Sequence, residues 1–167
     1  MQRIIFIDID GPIINTPCYY VDSFASIQRS VMNTQAIGYV NRLALLADAK
    51  IVTNSTHNYH TVKETDRNLR DDLIRWGLKA SYVHDDWRTE FPWPDWADGQ
   101  PIHRRLKGIM GWQEKNGQAD WICFDDEPFI DKNDPRLMHV DFERGIDYDL
   151  FMKACKHWKL NPEGLIV

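Results

Sequence analysis

The sequence predicts an α/β fold: a Rossmann-like three-layer sandwich in which a parallel sheet of about five strands has helices on both faces. Two observations support this prediction. Short apolar runs alternate with longer amphipathic segments along the chain, a pattern typical of strands joined by right-handed helical crossovers. The first run, residues 4–7, is apolar at four consecutive positions, which indicates a strand buried on both faces.

The first half of the chain begins with this strand. Residues 12–32 follow without a clear period and predict a short flap, or miniature cap, over the strand end. Asn33 is suited to cap a helix whose apolar residues recur at helical spacing as far as Ala47. A second strand is predicted at residues 50–53.

The middle of the chain alternates in the same way. Residues 61–64 read Thr-Val-Lys-Glu, the form of a capping box, and predict a helix that ends at Gly77. A third strand is predicted at residues 80–83. Residues 84–100 are rich in tryptophan, proline and acids, and predict a long loop near the site.

The last third repeats the alternation. Pro101 suits the first turn of a helix that closes near Gly117. Strands are predicted at residues 121–124 and 137–140, and Asp147 is suited to cap a final helix.

Composition limits the classes of function. The 167 residues are expected to form a single domain, residues 1–167. With 20 basic and 25 acidic residues, the net charge of -5 argues against extended nucleic acid as a partner. Three cysteines without metal-like spacing predict neither disulfides nor a zinc site, and no stretch is long and apolar enough for a membrane span. A cytoplasmic protein is expected.

Two apolar runs end in paired acids, and this repetition indicates a site. Asp8 and Asp10 lie two residues apart on an extended chain, so their side chains can converge, and Gly11 allows a sharp turn behind them. Asp125 and Asp126 follow the predicted fourth strand. Ligands of open parallel sheets bind at the carboxyl ends of the strands, where these acids lie.

These motifs together resemble those of the haloacid dehalogenase (HAD) superfamily, in its phosphatase branch with two aspartates in the first motif. The first motif is matched by Asp8-Ile9-Asp10-Gly11, and the hydroxyl residue that ends the second strand by Thr53. The basic residue of the third motif falls within the stretch 104–107, and the late acidic pair is Asp125-Asp126. The resemblance covers nearly the whole chain.

The resemblance implies a magnesium-dependent phosphatase. Asp8 would be the nucleophile that forms an aspartyl phosphate, and Asp10 the general acid and base. Mg²⁺ prefers oxygen ligands, which Asp8, the backbone carbonyl of Asp10, and Asp125 or Asp126 would supply.

The resemblance also implies the residues that bind phosphate. Thr53 and the backbone of Asn54 would hold the phosphoryl oxygens, and Lys107 would offset their negative charge. Ser55 is an alternative to Thr53, since the strand end is uncertain by a residue. Arg105 is an alternative to Lys107, and the two cannot face the same way on one helix.

Two further features have competing interpretations. His57 and His60 have no third ligand in the sequence that would indicate a metal site, but either could line the mouth of the active site. Trp87, Trp93 and Trp96 lie among acids and prolines, where their rings could stack on a nucleobase or pack the loop onto the domain or another subunit.

The expected substrate is a small phosphorylated metabolite or a nucleotide. One alternative is a phosphatase that acts on nucleic-acid ends, since a small cap leaves room for large substrates. A second is a catalytically silent HAD-like module that binds a phosphate or a partner. The sequence makes no prediction of the oligomeric state.

Overall fold

A computed structural model describes residues 1–60, 62, 66–90 and 104–163 of the chain. Its strands are β1 (Gln2–Ile7), β2 (Ala49–Thr53), β3 (Val83–Arg88), β4 (Ala119–Asp125) and β5 (Leu137–His139). Its helices are α1 (Thr16–Val21), α2 (Ala25–Gln28), α3 (Thr34–Ala47), α4 (Leu69–Arg75), α5 (Arg104–Asn116) and α6 (Tyr148–His157). Short 3-10 turns lie at Thr56–Tyr59 and Ala80–Tyr82. Within these described ranges, every helix falls short of the length and apolar character needed to cross a bilayer.

The five strands form one parallel sheet in the order β3-β2-β1-β4-β5. The predicted fold class, a Rossmann-like α/β sandwich, is confirmed. β1 lies at the centre, and the direction in which successive strands are added reverses between β1 and β4. In open α/β sheets, the carboxyl ends of the strands at such a reversal border the crevice where ligands bind.

The alternation of side chains along β1 divides the core into two layers. Ile5 and Ile7 face the larger layer, which includes apolar residues of α3, α4 and α6. Ile4 and Phe6 face the other layer, where they meet residues of α5 such as Trp112. Because all four side chains are almost fully buried, each contributes roughly 1.5–3 kcal/mol to folding. This apolar anchoring holds the end of β1, and the residues that follow it, in place.

Two of the predicted helix starts are confirmed by their caps. The side chain of Asn33 accepts hydrogen bonds from the backbone N–H groups of Gln35 and Ala36 at the start of α3. Asp147 accepts one from the N–H of Leu150 at the start of α6. Each cap satisfies donors that the first turn of a helix cannot satisfy internally.

The predicted third strand was placed too early. Ala80–Tyr82 is a 3-10 turn, and β3 begins at Val83 and extends to Arg88. The first residues of the predicted loop 84–100 are therefore strand. β3 lies at the edge of the described sheet, with a neighbouring strand on one side only. Edge strands often carry polar residues, and the polar residues of β3 resemble a loop in the sequence.

The cap of α4 also differs from the prediction. Its N-cap is Asn68, whose side chain accepts a hydrogen bond from the N–H of Asp71. The predicted capping box at residues 61–64 lies mostly outside the described residues, as do Trp93, Trp96 and Pro101.

Residues 12–32, called the mini-cap from here on, contain the short helices α1 and α2. The N–H groups of Ile13 and Ile14 both donate to the carbonyl of Ile9, which closes a tight turn shortly after β1. At the end of α2, Arg29 has a positive φ of 47° and a fully buried side chain. Its guanidinium donates to Asp72 of α4 at 2.6 Å and to two backbone carbonyls of residues 60 and 67. The mini-cap is therefore anchored to the domain through α4.

Candidate active site

Three carboxylates meet at the carboxyl ends of β1 and β4. Asp8 follows β1, Asp125 ends β4, and Asp126 comes next. One oxygen of each carboxylate lies within 4.8 Å of the others. Asp8 and Asp125 are 2% and 0% exposed. These two carboxylates of the acidic cluster are therefore buried and do not lie on the solvated surface. The parallel pairing of β1 with β4 brings the acids together, as the sequence predicted.

The guanidinium of Arg105 bridges this acidic cluster. Nη2 lies 2.8 Å from Oδ2 of Asp8, and Nη1 lies 3.2 Å from Oδ2 of Asp125. Nε lies 2.9 Å from Oε2 of Glu127, while Nη1 also donates to the carbonyl of Asn54 at 2.9 Å. A planar fork with five donors suits such a bridge better than a single ammonium group would.

Burial and crowding shift the ionisation of the acidic cluster. Burial, followed by repulsion from Asp8, raises the pKa of Asp125 to about 9. The same two causes raise the pKa of Asp126 above its usual range. Burial alone would lower the pKa of the Arg105 guanidinium, but Asp8 and Asp125 raise it, so Arg105 stays charged. Burial next to Asp8 therefore disfavours the ionised form of Asp125.

The acidic cluster fits a divalent cation. Oδ2 of Asp125 is buried, and despite its ion-pair distance to Arg105, no donor in the described part of the chain is aligned for a hydrogen bond to it. Three converging carboxylate oxygens are hard ligands of the kind that Mg²⁺ binds. Asp8, Asp125 and Asp126 are thus the residues that could hold the metal.

Gly11 allows the turn after β1 to pass close to this cluster. It has a φ of 86°, and a Cβ atom at this position would lie 2.9 Å from Cβ of Asp126. Both the backbone conformation and the close approach therefore require glycine.

Asp10 lies under the mini-cap and has a separate set of partners. Oδ1 accepts hydrogen bonds from Ser26 at 2.7 Å and Tyr19 at 3.3 Å, and Oδ2 lies 3.0 Å from Nε2 of His57. Although burial raises the pKa of Asp10, hydrogen bonding and charge from His57, with the bonds from Ser26 and Tyr19, lower it overall. Asp10 is therefore ionised in the free protein.

The predicted phosphate-binding residues of the second strand have other partners. The Thr53 hydroxyl donates to Oδ1 of Asn58 at 2.6 Å, and Ser55 Oγ accepts from the N–H of His57. Among the described contacts neither hydroxyl reaches Asp8, so the choice between Thr53 and Ser55 stays a prediction.

The role predicted for the backbone of Asn54 in phosphate binding stays a prediction. The N–H of Asn54 donates to the carbonyl of Ile7 at 2.8 Å, as the continuation of the pairing between β1 and β2. The side chain lies within the site, where its Oδ1 accepts a hydrogen bond from Thr89 at 2.7 Å.

Of the two basic residues considered for the third motif, Arg105 contacts Asp8, and the choice between Arg105 and Lys107 as the phosphate-binding residue stays a prediction. Arg105 is buried on the same face of α5 as Ile109 and Trp112, whereas Lys107 lines a cavity between α5 and β3 with Asp86 and Glu90. The basic residue that contacts Asp8 is thus Arg105, which the sequence analysis gave as the alternative to Lys107.

Sequence reasoning did not identify two partners of the site. Ser26 lies in the mini-cap, whose sequence shows no period, and Glu127 follows the late acidic pair but was not among the predicted site residues. His57 was placed near the mouth of the site by its closeness to Thr53, but its contact with Asp10 depends on the 3-10 turn after β2.

Comparison with known proteins agrees with this geometry. A family model described as the HAD domain in Swiss Army Knife RNA repair proteins matches residues 4–149. No curated protein and no solved structure matches the chain.

Proposed function

The chain belongs to the family of HAD domains in Swiss Army Knife RNA repair proteins, and on this premise we propose that it is a magnesium-dependent phosphomonoester hydrolase. Asp8 is the proposed nucleophile. The observation that carries the proposal is the pairing of Asp8 with Arg105 at 2.8 Å beside Asp125 and Asp126.

The charges around Asp8 suit attack on a phosphomonoester. The negative oxygens of the ester repel an incoming carboxylate unless positive charge offsets them. Arg105 supplies one fixed positive charge next to Asp8, where it would attract a phosphoryl oxygen. When bound by Asp8, Asp125 and Asp126, Mg²⁺ would supply further charge neutralisation. Arg105 and a cation held by these carboxylates would together offset the charge of a phosphate dianion.

The proposed reaction has two steps. In the first, a carboxylate oxygen of Asp8 forms a bond to phosphorus as the bond to the ester oxygen breaks, and the Asp10 carboxyl gives its proton to that oxygen. In the second, Asp10 takes a proton from water, whose oxygen attacks the phosphorus, and Asp8 leaves as a carboxylate. The ionised state of Asp10 in the free protein suits the second step, and the approach of a phosphate dianion favours the protonated form that the first step needs.

For the substrate, the family description favours one of the alternatives raised by the sequence. We propose the terminal phosphate of an RNA strand as a second candidate beside a free nucleotide or metabolite. The cap between residues 12 and 32 contains only two short helices, which is consistent with a substrate larger than a nucleotide. The net charge of -5 indicates that such an RNA would be held near its end and not along an extended basic surface.

A comparison of substrates tests both parts of the proposal. We expect Mg²⁺-stimulated release of phosphate from 4-nitrophenyl phosphate, from mononucleotides, or from oligoribonucleotides that carry a 3′- or 5′-phosphate. Asp8→Asn should abolish release, while Asp149→Asn, an exposed acid at the start of α6, should not. Higher kcat/KM for the oligoribonucleotides than for the mononucleotides would support RNA ends as the substrate.

Binding measurements separate an enzyme from a silent module. Mg²⁺ should raise the Tm of the wild-type protein, and Asp125→Asn should reduce that increase, because a ligand stabilises the state that binds it. Beryllium fluoride with Mg²⁺ should form an adduct at Asp8. A protein that binds Mg²⁺ but releases no phosphate from any of these esters, and forms no adduct, would contradict the proposed activity and favour the binding module.

A further inference from the structure

The carboxylate of Asp10 is held by side chains from two separate segments of the chain. Ser26 and Tyr19 belong to the mini-cap, and both contact Oδ1. His57 belongs to the 3-10 turn after β2, and its Nε2 lies 3.0 Å from Oδ2. Each carboxylate oxygen therefore has at least one partner, which restricts rotation of the carboxylate about its Cβ–Cγ bond.

The partners of Asp10 also contact one another. Nε2 of His57 lies 3.1 Å from Oγ of Ser26. The side chains of His57, Ser26 and Asp10 therefore form a closed triangle of contacts. The ring of Tyr19 is stacked on Phe142, with the two centroids 6.1 Å apart. The His57 side chain is 11% exposed, whereas the Asp10 side chain is 37% exposed. The His57 end of the triangle is thus buried, while the Asp10 carboxylate remains accessible to solvent.

We propose that His57 and Ser26 are positioning residues that hold the carboxyl group of Asp10 in the orientation required to protonate the leaving oxygen. The inference rests on the proposed phosphatase function and deepens it. The proton moves from Asp10 to the ester oxygen while the bond from that oxygen to phosphorus breaks and the bond to Asp8 forms. Through Ser26, the mini-cap takes part in the acid–base step and does more than cover the substrate.

The geometry argues for positioning in addition to anchoring. The mini-cap is already attached to the domain by the fully buried Arg29, whose guanidinium contacts Asp72 at 2.6 Å. Ser26 and His57 instead direct their polar atoms at the one carboxylate that the proposed mechanism uses as acid and base. Proton transfer requires the acid to lie within hydrogen-bonding reach of the accepting atom, and small misplacements of reacting groups cost large factors in rate.

The test compares two leaving groups. An alkyl phosphate has a basic leaving oxygen that needs a proton, while 4-nitrophenolate leaves without much help. In His57→Leu and Ser26→Ala, we expect kcat for an alkyl phosphate to fall by about tenfold or more, with a smaller fall for 4-nitrophenyl phosphate and little change in KM. Asp10→Asn removes the acid itself. Its kcat should fall more for the alkyl phosphate than for 4-nitrophenyl phosphate, and this difference should be larger than in the other two variants.

Two variants separate positioning from a general structural effect. His57→Gln retains an amide that can donate to Asp10 and should recover much of the rate that His57→Leu loses. His60→Ala changes the exposed histidine at the end of the same turn and should leave the ratio of the two rates unchanged. Thermal unfolding establishes that each variant is folded. If His57→Leu does not fold, the rates of Ser26→Ala with the two esters provide the test.

The outcomes distinguish this inference from the proposed function. Equal losses for both esters in the folded variants, or a change in KM alone, would overturn the positioning role in an enzyme that is otherwise active. A wild-type protein that hydrolyses neither ester with Mg²⁺ would overturn the proposed function and the inference with it.

Discussion

The guanidinium of Arg29 and the carboxylate of Asp72 form an ion pair at 2.6 Å in which both side chains are completely buried. Arg67 lies 3.1 Å from the other oxygen of Asp72, at an angle that does not make a hydrogen bond. Arg29 ends α2 of the mini-cap, and Asp72 lies on α4. The pair therefore joins the mini-cap, which contacts Asp10 through Tyr19 and Ser26, to the body of the domain.

Removing one member of this pair should be strongly destabilising. Arg29→Met leaves Asp72 buried without its main partner, and we expect a loss of about 3–5 kcal/mol in the free energy of unfolding. Arg75→Met, an exposed arginine on α4, is the matched control and should change stability little. Adding Asp72→Leu to Arg29→Met should recover part of the loss, since the uncompensated charge is then gone. Urea denaturation measures all three, and a single variant as stable as wild type would contradict the prediction.

Arg105 and Lys107 should differ in their effect on catalysis. Arg105→Lys keeps the positive charge but loses the fork that bridges Asp8, Asp125 and Glu127, so we expect kcat to fall by about a hundredfold. Lys107→Ala should cost less, because Lys107 lies toward the cavity beside β3. Steady-state rates with 4-nitrophenyl phosphate measure the difference, with Lys115→Ala on the same helix as control. A larger loss for Lys107→Ala would restore it as the phosphate-binding cation.

Gly11→Ala should damage both stability and the site. The positive φ of 86° costs a residue with a side chain about 1–3 kcal/mol, and the new Cβ would push against Asp126. We expect a lower Tm and a reduced rise in Tm on addition of Mg²⁺. Gly38→Ala on α3 is the contrasting variant, because a Cβ at this position would meet nothing within 4 Å. We expect this substitution to raise the free energy of unfolding by about 0.5–1 kcal/mol. Equal Tm values for the two variants would contradict this account of Gly11.

A carboxylate away from the site should give a defined pH dependence of stability. Asp86 lies 3.0 Å from Nζ of Lys115 and accepts a hydrogen bond from Asn116. Burial raises the pKa of Asp86, but these two residues lower it overall, below the 3.8 of an unperturbed aspartate. A lowered pKa in the folded state adds stability above the unfolded value, and that stability disappears as the pH falls through the folded value.

Asp86→Asn should therefore be less stable than wild type at neutral pH, by at most about 1 kcal/mol because the pair with Lys115 is largely exposed. The difference in Tm between the two proteins should close as the pH falls below 3.8. Asp85→Asn, the exposed neighbour, serves as the control. A difference that persists unchanged at low pH would show that Asp86 stabilises through something other than its charge.

The sequence was most informative where burial and periodicity agree. The apolar runs before Asp8 and Asp125 predicted two buried strands, and pairing of their ends brings the two acids together. The choice between Arg105 and Lys107 was also within reach. Arg105 and Ile109 lie four residues apart and share the buried face of α5, so the apolar stripe already indicated which basic residue faces the sheet.

Other parts of the site were not predictable, for physical reasons. Ser26 and His57 reach Asp10 through loops and short turns, whose paths depend on hydrogen bonds between segments distant in the sequence. The hydrogen bond from the N–H of Asn54 to Ile7 depends on the register between β1 and β2, which the sequence does not specify. β3 was misplaced because an exposed edge strand lacks the apolar pattern of a central one.

The central position of β1 links assembly of the proposed active site to the order in which the chain is made. Residue 5 of β1 pairs with residue 51 on one side and with residue 122 on the other. A nascent chain that has not reached β4 leaves one edge of this apolar strand unpaired, with the Asp8 carboxylate lacking both Arg105 and Asp125. Contacts so distant in sequence form slowly, and until then the strand is exposed to aggregation. Within this chain, Asp8 is therefore synthesised well before Arg105 and Asp125, the two residues that complete the surroundings of its carboxylate.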